Sequence, residues 1–412
     1  MEQANRQIRE DSAEWQETLG AAQVLLGDKV PSALTRAIRD NARRDDRIVD
    51  QGLLATRTIE DGDGFARTNL IIEGNRGIPT EAFKLNDVSF DQLSENVHMP
   101  VKYARYLRAN HPSLLDRNFN QILGTEEKRK LVRILGGDNS MSHATAILSD
   151  KFKTFDNIDL LMSVIYPLIE SHPTVDGTYA GTAQWEAQRV DFTEKRMYIK
   201  FASKVYQTQA AAVGDMVGLG LSISNSESGH GAVTVEQLLI TLACLNGMTI
   251  GNRSRTAHLG GAKLEDEVHA LLTDETKALD NQALASKLRD IVGNYSATDS
   301  FDKAVDKFRE AGKDGMTNDT TEKSLTGLSE GVGRVLNLSK PERASVLHSL
   351  VATLRQSGYV GNPVNRATLV NAVTGVQNTC PIDDRGLWEN RGAKLLDMSA
   401  AARGNFPVLQ AA

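Results

Sequence analysis

The chain has 412 residues, of which 40% are hydrophobic and 24% are charged. This ordinary globular composition excludes a fibrous or largely disordered protein, and the length predicts more than one domain. The 47 basic and 53 acidic side chains give a formal net charge of −6, which excludes a uniformly basic nucleic-acid coat protein but permits a local basic surface.

Residues 1–80 are predicted to form a polar N-terminal arm, whose arginine-rich part is either loosely packed or a short exposed helix. The first part of this arm is rich in arginine and has only a thin apolar stripe. Several arginines are interleaved with aspartates, namely Arg36, Arg39, Arg43, Arg44 and Arg47. Glycine-rich turns flank one predicted strand, at residues 68–72. We therefore place the arm outside the main core.

The segment after residue 80 begins with two predicted helices. Asn86 is a good N-cap for a helix that buries Phe90, Leu93 and Val97, and a second helix follows Pro100. Two short helices joined at a proline are compatible with a helix-turn-helix that reads a DNA groove. An ordinary helical hairpin with a solvated basic face is the alternative. The basic residues of the second helix are Lys102, Arg105 and Arg108.

Residues 81–263 as a whole are predicted to form an α+β core. A strand at residues 144–148 precedes an apolar helix at residues 158–169, which Pro167 is expected to close. Alternating apolar residues then predict antiparallel strands at residues 184–191, 196–201 and 216–224. The run at residues 233–245 fits a strand or a helix. The predicted fold class is α+β, with an antiparallel β-sheet core and packed helices.

Residues 264–412 are predicted to form a helical C-terminal region. Leu279, Leu284, Leu288 and Ile291 define one amphipathic helix. A capping box at residues 339–342 starts another helix. The polar segment at residues 311–320 is predicted to be a mobile linker. The acidic helices of this region are expected to face away from the core.

Two features of the whole chain bear on its environment. Cys244 and Cys380 are too few for a disulfide framework or a zinc site, which favours a reducing compartment. The sequence has no signal-peptide pattern, and no apolar run approaches the roughly 18 residues that cross a bilayer. We expect a cytoplasmic protein without a membrane partner.

Catalytic motifs are missing from the sequence. It has no phosphate-binding loop of the ATPase type, and its eight histidines lack the spacing of a zinc site. Two acidic groupings have the composition of a magnesium site, so a metal-dependent nuclease is an alternative. They are Asp150, Asp156 and Asp159, and Glu186, Asp191 and Glu194. We expect no enzymatic activity, no metal and no cofactor.

The polar segment at residues 222–231 contains serines, Glu227 and His230. A nucleophilic serine is one interpretation, but the strand-to-helix elbow that would expose it is missing. A tight polar loop is favoured, and small hydroxyl and amide groups in such a loop can grip phosphates. Asn225, Ser226 and Ser228 are therefore predicted to position a nucleic-acid backbone.

Basic and aromatic residues along two neighbouring predicted strands carry the main functional hypothesis. Strand alternation places Arg196, Tyr198 and Lys200 on one face, and a solvent-exposed face of this composition can stack bases and contact phosphates. The predicted nucleic-acid-binding residues of these strands are Trp185, Arg189, Lys195, Arg196, Tyr198, Lys200 and Lys204. An ordinary solvated sheet exterior is the alternative.

A second basic segment follows at residues 251–263 and contains no acidic residue. It is interpreted as a loop that adds three phosphate contacts to the same surface. The predicted contacts are Arg253, Arg255 and Lys263.

One pair of motifs resembles a known family. The runs LGLSISNSESG at residues 219–229 and LACLNGM at residues 242–248 are similar to the paired signature of the phage/plasmid-like protein family, catalogued as domain of unknown function 932. AILSDKFKTFDN at residues 146–157 and NAVT at residues 371–374 resemble further family segments. Lys151 and Phe152 stand where the family commonly has arginine and tyrosine. The resemblance covers about residues 81–396 and implies a mobile-element context.

The predicted layout is also similar in outline to the single-strand annealing proteins of phages, of the Red-beta, RecT and Erf types. That likeness implies ATP-independent annealing of single-stranded DNA by a homo-oligomeric ring or filament. We therefore expect a single-stranded DNA-binding protein. The alternative is a protein-binding module of a mobile element, such as an inhibitor of a host defence system.

Overall fold

The computed structural model describes residues 13–60, 64–74, 79–125, 127–137, 141–170, 174–175, 178–179, 185–209, 216–242, 246–256, 272–295, 299–356 and 361–406. This part of the chain contains two large, mainly antiparallel sheets and a helical C-terminal region. The predicted α+β fold class is therefore confirmed. In the described part of the chain, no helix combines the length and the hydropathy that crossing a bilayer requires.

The chain begins with a helical hairpin of α1 (Ala13–Leu26) and α2 (Lys29–Ala42). Gly27, between the two helices, has a φ of 87°, a conformation that glycine adopts without strain. Val30, Leu34 and Ile38 recur at helical spacing and are buried in the larger of the hydrophobic cores. The hairpin is thus an integral part of the fold.

A six-stranded sheet with three helices occupies the next hundred residues. Its strands lie in the order β1-β5-β6-β4-β3-β2, and only β4 and β6 pair in parallel. In chain order the elements are β1 (Arg44–Asp50), β2 (Leu54–Glu60), β3 (Ala66–Ile72), β4 (Glu81–Leu85), α3 (Asp87–Asn96), α4 (Val101–Asn110), α5 (Pro112–Leu123), β5 (Arg129–Leu135) and β6 (His143–Ser149).

The three helices cover one face of this sheet. Asn86 caps α3 as predicted, because its Oδ1 accepts a hydrogen bond from the Ser89 backbone N–H at 2.8 Å. Phe90 of α3 and Phe119 of α5 pack against Val132 and other inward-facing strand residues in a hydrophobic core of their own. The inner face is therefore apolar and closed, and the opposite, outer face contains the polar residues.

The edge strand β2 is protected by α5. The side chain of Asn120 accepts from the Thr56 N–H at 2.6 Å and donates to the Thr56 carbonyl at 3.1 Å. Asp116 accepts from the Thr58 N–H at 2.7 Å. Side chains thus replace a neighbouring strand, which prevents edge-to-edge pairing with other chains.

The prediction of a loosely packed arm is wrong for the described residues before position 80. Strands β1, β2 and β3 are three of the six strands in the first sheet, and α2 is part of the larger core. The predicted domain boundary at residue 81 consequently cuts through a sheet. The reason is that short, polar strands become buried by pairing, and strand pairing is not visible in the local hydropathy.

The second sheet is a five-stranded antiparallel meander in the order β13-β12-β11-β10-β9. It follows α6 and a small two-stranded ribbon, and the three strands predicted between residues 184 and 224 are confirmed as part of it. The elements are α6 (Asn157–Glu170), β7 (Thr174–Val175), β8 (Thr178–Tyr179), β9 (Trp185–Phe192), β10 (Met197–Gln209), β11 (Met216–Asn225), β12 (Val233–Thr241) and β13 (Asn246–Thr256). Pro167 lies inside α6, which continues to Glu170.

The C-terminal region packs back onto the second sheet. Its elements are α7 (Asp274–Tyr295), α8 (Asp299–Lys313), β14 (Gly315–Thr317), α9 (Glu322–Leu336), α10 (Lys340–Leu354), β15 (Val364–Asn365), α11 (Arg366–Gly375) and α12 (Arg385–Leu396). The predicted capping box starts α10. The predicted linker is wrong, because β14 lies within it and pairs with β15.

Candidate nucleic-acid interface

The predicted interface on β10 is covered by the C-terminal region. Tyr198 and Lys200 do share a face, but they are only 3% and 2% exposed. The Tyr198 hydroxyl donates to Glu389 Oε1 at 2.6 Å, and Lys200 Nζ forms an ion pair with the same oxygen at 2.7 Å. Burial and the Glu389 charge raise the pKa of Tyr198 well above its ordinary value. Neither side chain is accessible to a nucleic acid.

The other predicted cations of this region lie near the surface but mostly have protein partners. Arg189 and Lys204 form ion pairs with Asp191 at 3.6 Å and with Glu186 at 3.3 Å. Arg196 donates to the carbonyl of His230 at 3.1 Å. Lys195 is exposed in the turn between β9 and β10. These side chains form no continuous basic surface.

The remaining predicted residues of the second sheet are buried. Trp185 lies in the larger hydrophobic core. Asn225 donates to the Phe155 carbonyl at 2.8 Å, and Ser226 and Ser228 donate to the Lys195 carbonyl at 2.6 and 3.2 Å. These groups hold the loop after β11 in place instead of contacting a phosphate backbone.

Three predicted contacts lie wholly or partly outside the described residues. Arg253 and Arg255 lie in β13, where their backbones pair with Glu236 and Thr234 of β12, so this part of the expected loop is a strand. Their side chains lie outside the structural description, and so does the whole of Lys263.

The prediction on β10 is incorrect because the helices that cover this face of the sheet are distant in the sequence. Alternation correctly divides Tyr198 and Lys200 from Met197, Ile199 and Phe201, but both faces of the sheet are packed. Helices α11 and α12 contact β13 and cover the face that was expected to be exposed. The expectation that the C-terminal helices face away is therefore also wrong.

A buried cluster of charges joins the two sheets. Arg133 of β5 is 0% exposed and donates to Asp46 of β1 at 3.0 Å and to Asp156 at 2.6 Å. It also donates to the Glu227 carbonyl at 3.1 Å. The Glu227 carboxylate in turn forms an ion pair with Arg44 at 2.6 Å. The glutamate of the Asn-Ser-Glu motif thus fixes the loop after β11 against the first sheet.

Burial dominates the protonation of this cluster. It raises the pKa of Asp46 and of Glu227, and it raises the pKa of Asp159 to about 6 with help from the Asp156 charge. Asp156, one of the acids proposed as a magnesium ligand, is occupied by Arg133. Within the residues that the structure describes, no group of three or more His, Cys, Asp or Glu side chains is placed to hold a metal ion.

The outer face of the six-stranded sheet carries a row of residues that crosses every strand, and all of them except Leu135 are polar. Backbone register pairs Arg57 with Asn69, Asn69 with Lys84, Lys84 with His143, His143 with Leu135, and Leu135 with Arg44. Directly paired residues lie on the same face of a sheet. We call this set the outer row; it consists of Arg57, Asn69, Lys84, His143, Leu135 and Arg44. The row itself contains three cations and no carboxylate, and one of the cations, Arg44, is paired with Glu227 from the loop after β11.

Exposure differs among the members of the outer row, and Asn69 is buried between Arg57 and Lys84. Arg57 is exposed, Lys84 and His143 are half-buried, and Arg44 is nine-tenths buried against the second sheet. Burial, together with the charges of Lys84 and Arg43, lowers the pKa of His143. At neutral pH its imidazole is therefore uncharged, with one nitrogen that donates and one that accepts a hydrogen bond.

A cavity of about 240 Å³ lies at the buried end of the outer row. It is bounded by both sheets and by α2, since Arg36, Arg44, His143 and Phe192 all line it. The guanidinium of Arg36 lies 4.5 Å from the centre of the Phe192 ring. The cavity and the outer row are thus continuous through His143 and Arg44.

Sequence reasoning missed the outer row, although each strand carries a signal. Arg57, Arg67 and Lys84 are cations at outward positions of short strands whose inward positions are apolar or form hydrogen bonds. Nothing in the sequence gives the order β6-β4-β3-β2, which places them side by side. A search for outward-facing cations in all predicted strands would have found the individual residues but not the row.

Comparisons of the chain with protein-family models, with curated proteins and with solved structures returned no match. The resemblance to the phage/plasmid-like family therefore depends on the signature residues alone. Two of these, Asn225 and Glu227, lie where the loop after β11 meets α6 and the first sheet. Their contacts indicate a structural role for the motif at the junction of the two sheets.

Proposed function

We propose that this protein binds single-stranded nucleic acid on the outer face of its six-stranded sheet. The observation that supports the proposal is the outer row, in which only Asn69, and no carboxylate, separates Arg57 of β2 from Lys84 of β4. Phosphate contacts supply most of the sequence-independent affinity for nucleic acids, and they require such a track of cations. The proposal moves the interface away from the second sheet.

The dimensions of the outer row suit a short single strand. Six strands, spaced by about 4.8 Å, give the row a length of about 24 Å. Single-strand sites begin at about 4 nucleotides. Beside the row, Ile59 pairs with Arg67 on the same face, and Phe65 is 68% exposed at the turn before β3. Exposed apolar side chains next to cations can contact bases while the cations bind phosphates.

Annealing is the narrower form of the proposal. Binding through phosphates and stacking needs no nucleotide hydrolysis, which agrees with a sequence that has no phosphate-binding loop. A row of this length holds only a few nucleotides, so stable coating of a long strand favours several copies, in a ring or filament. The resemblance to a phage- and plasmid-borne family supports this biological setting. Electron micrographs with and without single-stranded DNA test the assembly.

The binding experiment compares charge reversals on the two sheets. We expect Arg57→Glu combined with Lys84→Glu to weaken binding of a labelled single-stranded oligonucleotide by at least tenfold. The slope of log affinity against log salt should become shallower by about 1.4, because each phosphate neutralised on a single strand contributes about 0.7. Fluorescence anisotropy across a salt series measures both quantities.

A matched control uses the surface that was predicted first. Lys195→Glu combined with Lys204→Glu makes the same change in net charge at exposed positions of the second sheet. We expect it to leave the salt slope within about 0.3 of the parent value. If the two double variants lose equal affinity, binding follows net charge alone and the proposed interface is wrong.

A protein-binding module is the second candidate, and a separate surface favours it. Tyr103 and Tyr106 on α4 are 48% and 53% exposed, and Leu114 at the start of α5 is 40% exposed. Aromatic side chains of this kind are enriched at protein interfaces. A chain that binds no oligonucleotide at low salt would favour this candidate, including its form as an inhibitor of host defence.

A further inference from the structure

The cavity at the end of the outer row has unsatisfied hydrogen-bonding groups. Asn86 and Asn157 each accept through Oδ1, from Ser89 and from Asn225, which leaves both Nδ2 amides without an acceptor in the described part of the chain. Arg44 donates from its two terminal nitrogens to Thr145 and Glu227. Its Nε is buried and has no partner among the described residues. These donors all belong to residues that line the cavity.

The cavity also offers flat surfaces. The Phe192 ring and the Arg36 guanidinium lie 4.5 Å apart and both line the cavity. Aromatic rings and guanidinium planes are the groups on which proteins stack unpaired bases. The neutral His143 adds one donor and one acceptor nitrogen, which matches the mixed edge of a base better than it matches a phosphate.

The size of the cavity limits its occupant. Pockets that hold drug-sized molecules measure about 300–1,000 Å³, whereas this cavity measures about 240 Å³. A single heterocyclic base is a planar group of the right order of size, and a longer segment of nucleic acid is not. The cavity therefore suits one base taken out of the stack of a strand whose backbone continues along the sheet.

From these observations we infer that the cavity between the two sheets holds one unstacked base of a single strand bound along the outer row. The inference depends on the proposed function and adds a specific subsite to it. The Arg36 guanidinium, which lies against the Phe192 ring, stacks on the base with its other face, and the amides of Asn86 and Asn157, with His143, contact the edge of the base. Lys84 and Arg57 bind the phosphates that lead to the subsite.

The test separates contacts to bases from contacts to phosphates. Two oligonucleotides of equal length and charge are compared, one with normal bases and one in which every position is abasic. We expect the parent protein to bind the normal oligonucleotide at least tenfold more tightly, since each stacked base contributes severalfold or more to affinity. Phe192→Leu removes the ring but keeps an apolar side chain against the core, and Phe192→Tyr keeps the ring.

Phe192→Leu is expected to bind the normal oligonucleotide at least fivefold more weakly than the parent and Phe192→Tyr do, with unchanged affinity for the abasic oligonucleotide. Equal binding of normal DNA by the parent and Phe192→Leu would overturn the subsite, while weakened binding by the Arg57→Glu, Lys84→Glu variant would still support the outer row.

If the parent binds neither oligonucleotide, the proposed function fails and the subsite with it. Nucleoside monophosphates that bind as tightly as the oligonucleotide would overturn the inference by assigning the cavity to a free nucleotide.

Discussion

The buried ion pair beneath the second sheet provides a quantitative test of the fold. Glu389 is 0% exposed and shares its Oε1 between Lys200 Nζ at 2.7 Å and the Tyr198 hydroxyl at 2.6 Å. Glu389→Gln keeps an oxygen that accepts hydrogen bonds but removes the negative charge. The Lys200 ammonium would then be buried without a counter-charge, which is the costly arrangement for an ion pair of this kind.

The expected magnitude follows from the burial of both partners. Removing one member of a buried pair costs about 3–5 kcal/mol, whereas replacing both members with apolar side chains is often close to neutral. Glu389→Gln should therefore lower the free energy of unfolding by about 3 kcal/mol, and Lys200→Met alone by a similar amount. The double variant Lys200→Met, Glu389→Leu should be destabilised less than either single variant.

Urea unfolding followed by tryptophan fluorescence measures these changes. Trp185 in β9 and Trp388 beside Glu389 are two of the three tryptophans of the chain, and both are buried in the larger hydrophobic core. The buried-pair interpretation would be refuted if Glu389→Gln lowered the free energy of unfolding by less than about 1 kcal/mol. It would also be refuted if the double variant were less stable than both single variants. Loss of oligonucleotide binding in a folded Lys200→Met protein would return the interface to the second sheet.

Three further predictions concern separate parts of the fold. Burial raises the pKa of Asp159 from 3.8 to about 6, so between these pH values the folded chain holds a proton that the unfolded chain releases. The free energy of unfolding should therefore fall by up to about 3 kcal/mol as the pH rises from about 4 to 6. Asp159→Asn should flatten this dependence, measured by urea unfolding at pH 4.5 and 7.5. Asn120→Ala should cost about 1–3 kcal/mol, because it leaves the backbone groups of Thr56 unpaired at the sheet edge, measurable by hydrogen exchange of β2. Gly220→Ala should cost about 1–3 kcal/mol in thermal unfolding, since a Cβ there would lie 2.2 Å from Cδ1 of Ile240.

Local patterns in the sequence were sufficient for some of the individual elements. The alternation in β11, the turn between β9 and β10 and the N-cap at Asn86 each depend on residues within a few positions of one another. Such signals are local because caps, turns and the two-residue period of a strand are set by the backbone itself. For the same reason the α+β class was predictable without knowledge of the packing.

Packing partners were beyond the reach of these patterns. The sequence places Tyr198 and Lys200 on one face of β10, but only the folded chain brings Glu389, almost two hundred residues later, onto that face. A lysine on a strand is buried only where the fold places a counter-charge and a helix over it. The hydropathy of the local sequence does not distinguish such a lysine from an exposed one. The predicted interface was therefore assigned to residues that are in the interior.

The sequence alone determined which residues of each strand share a side and where helices begin, since both depend on bonded neighbours. The tertiary structure alone decided that Arg57, Lys84 and Arg44 lie in one row and that a cavity closes its end between two sheets. Strand order and the contact between the sheets depend on pairing between residues that are far apart in the sequence. The free energy of this pairing is distributed over many weak contacts, so no single sequence motif encodes it.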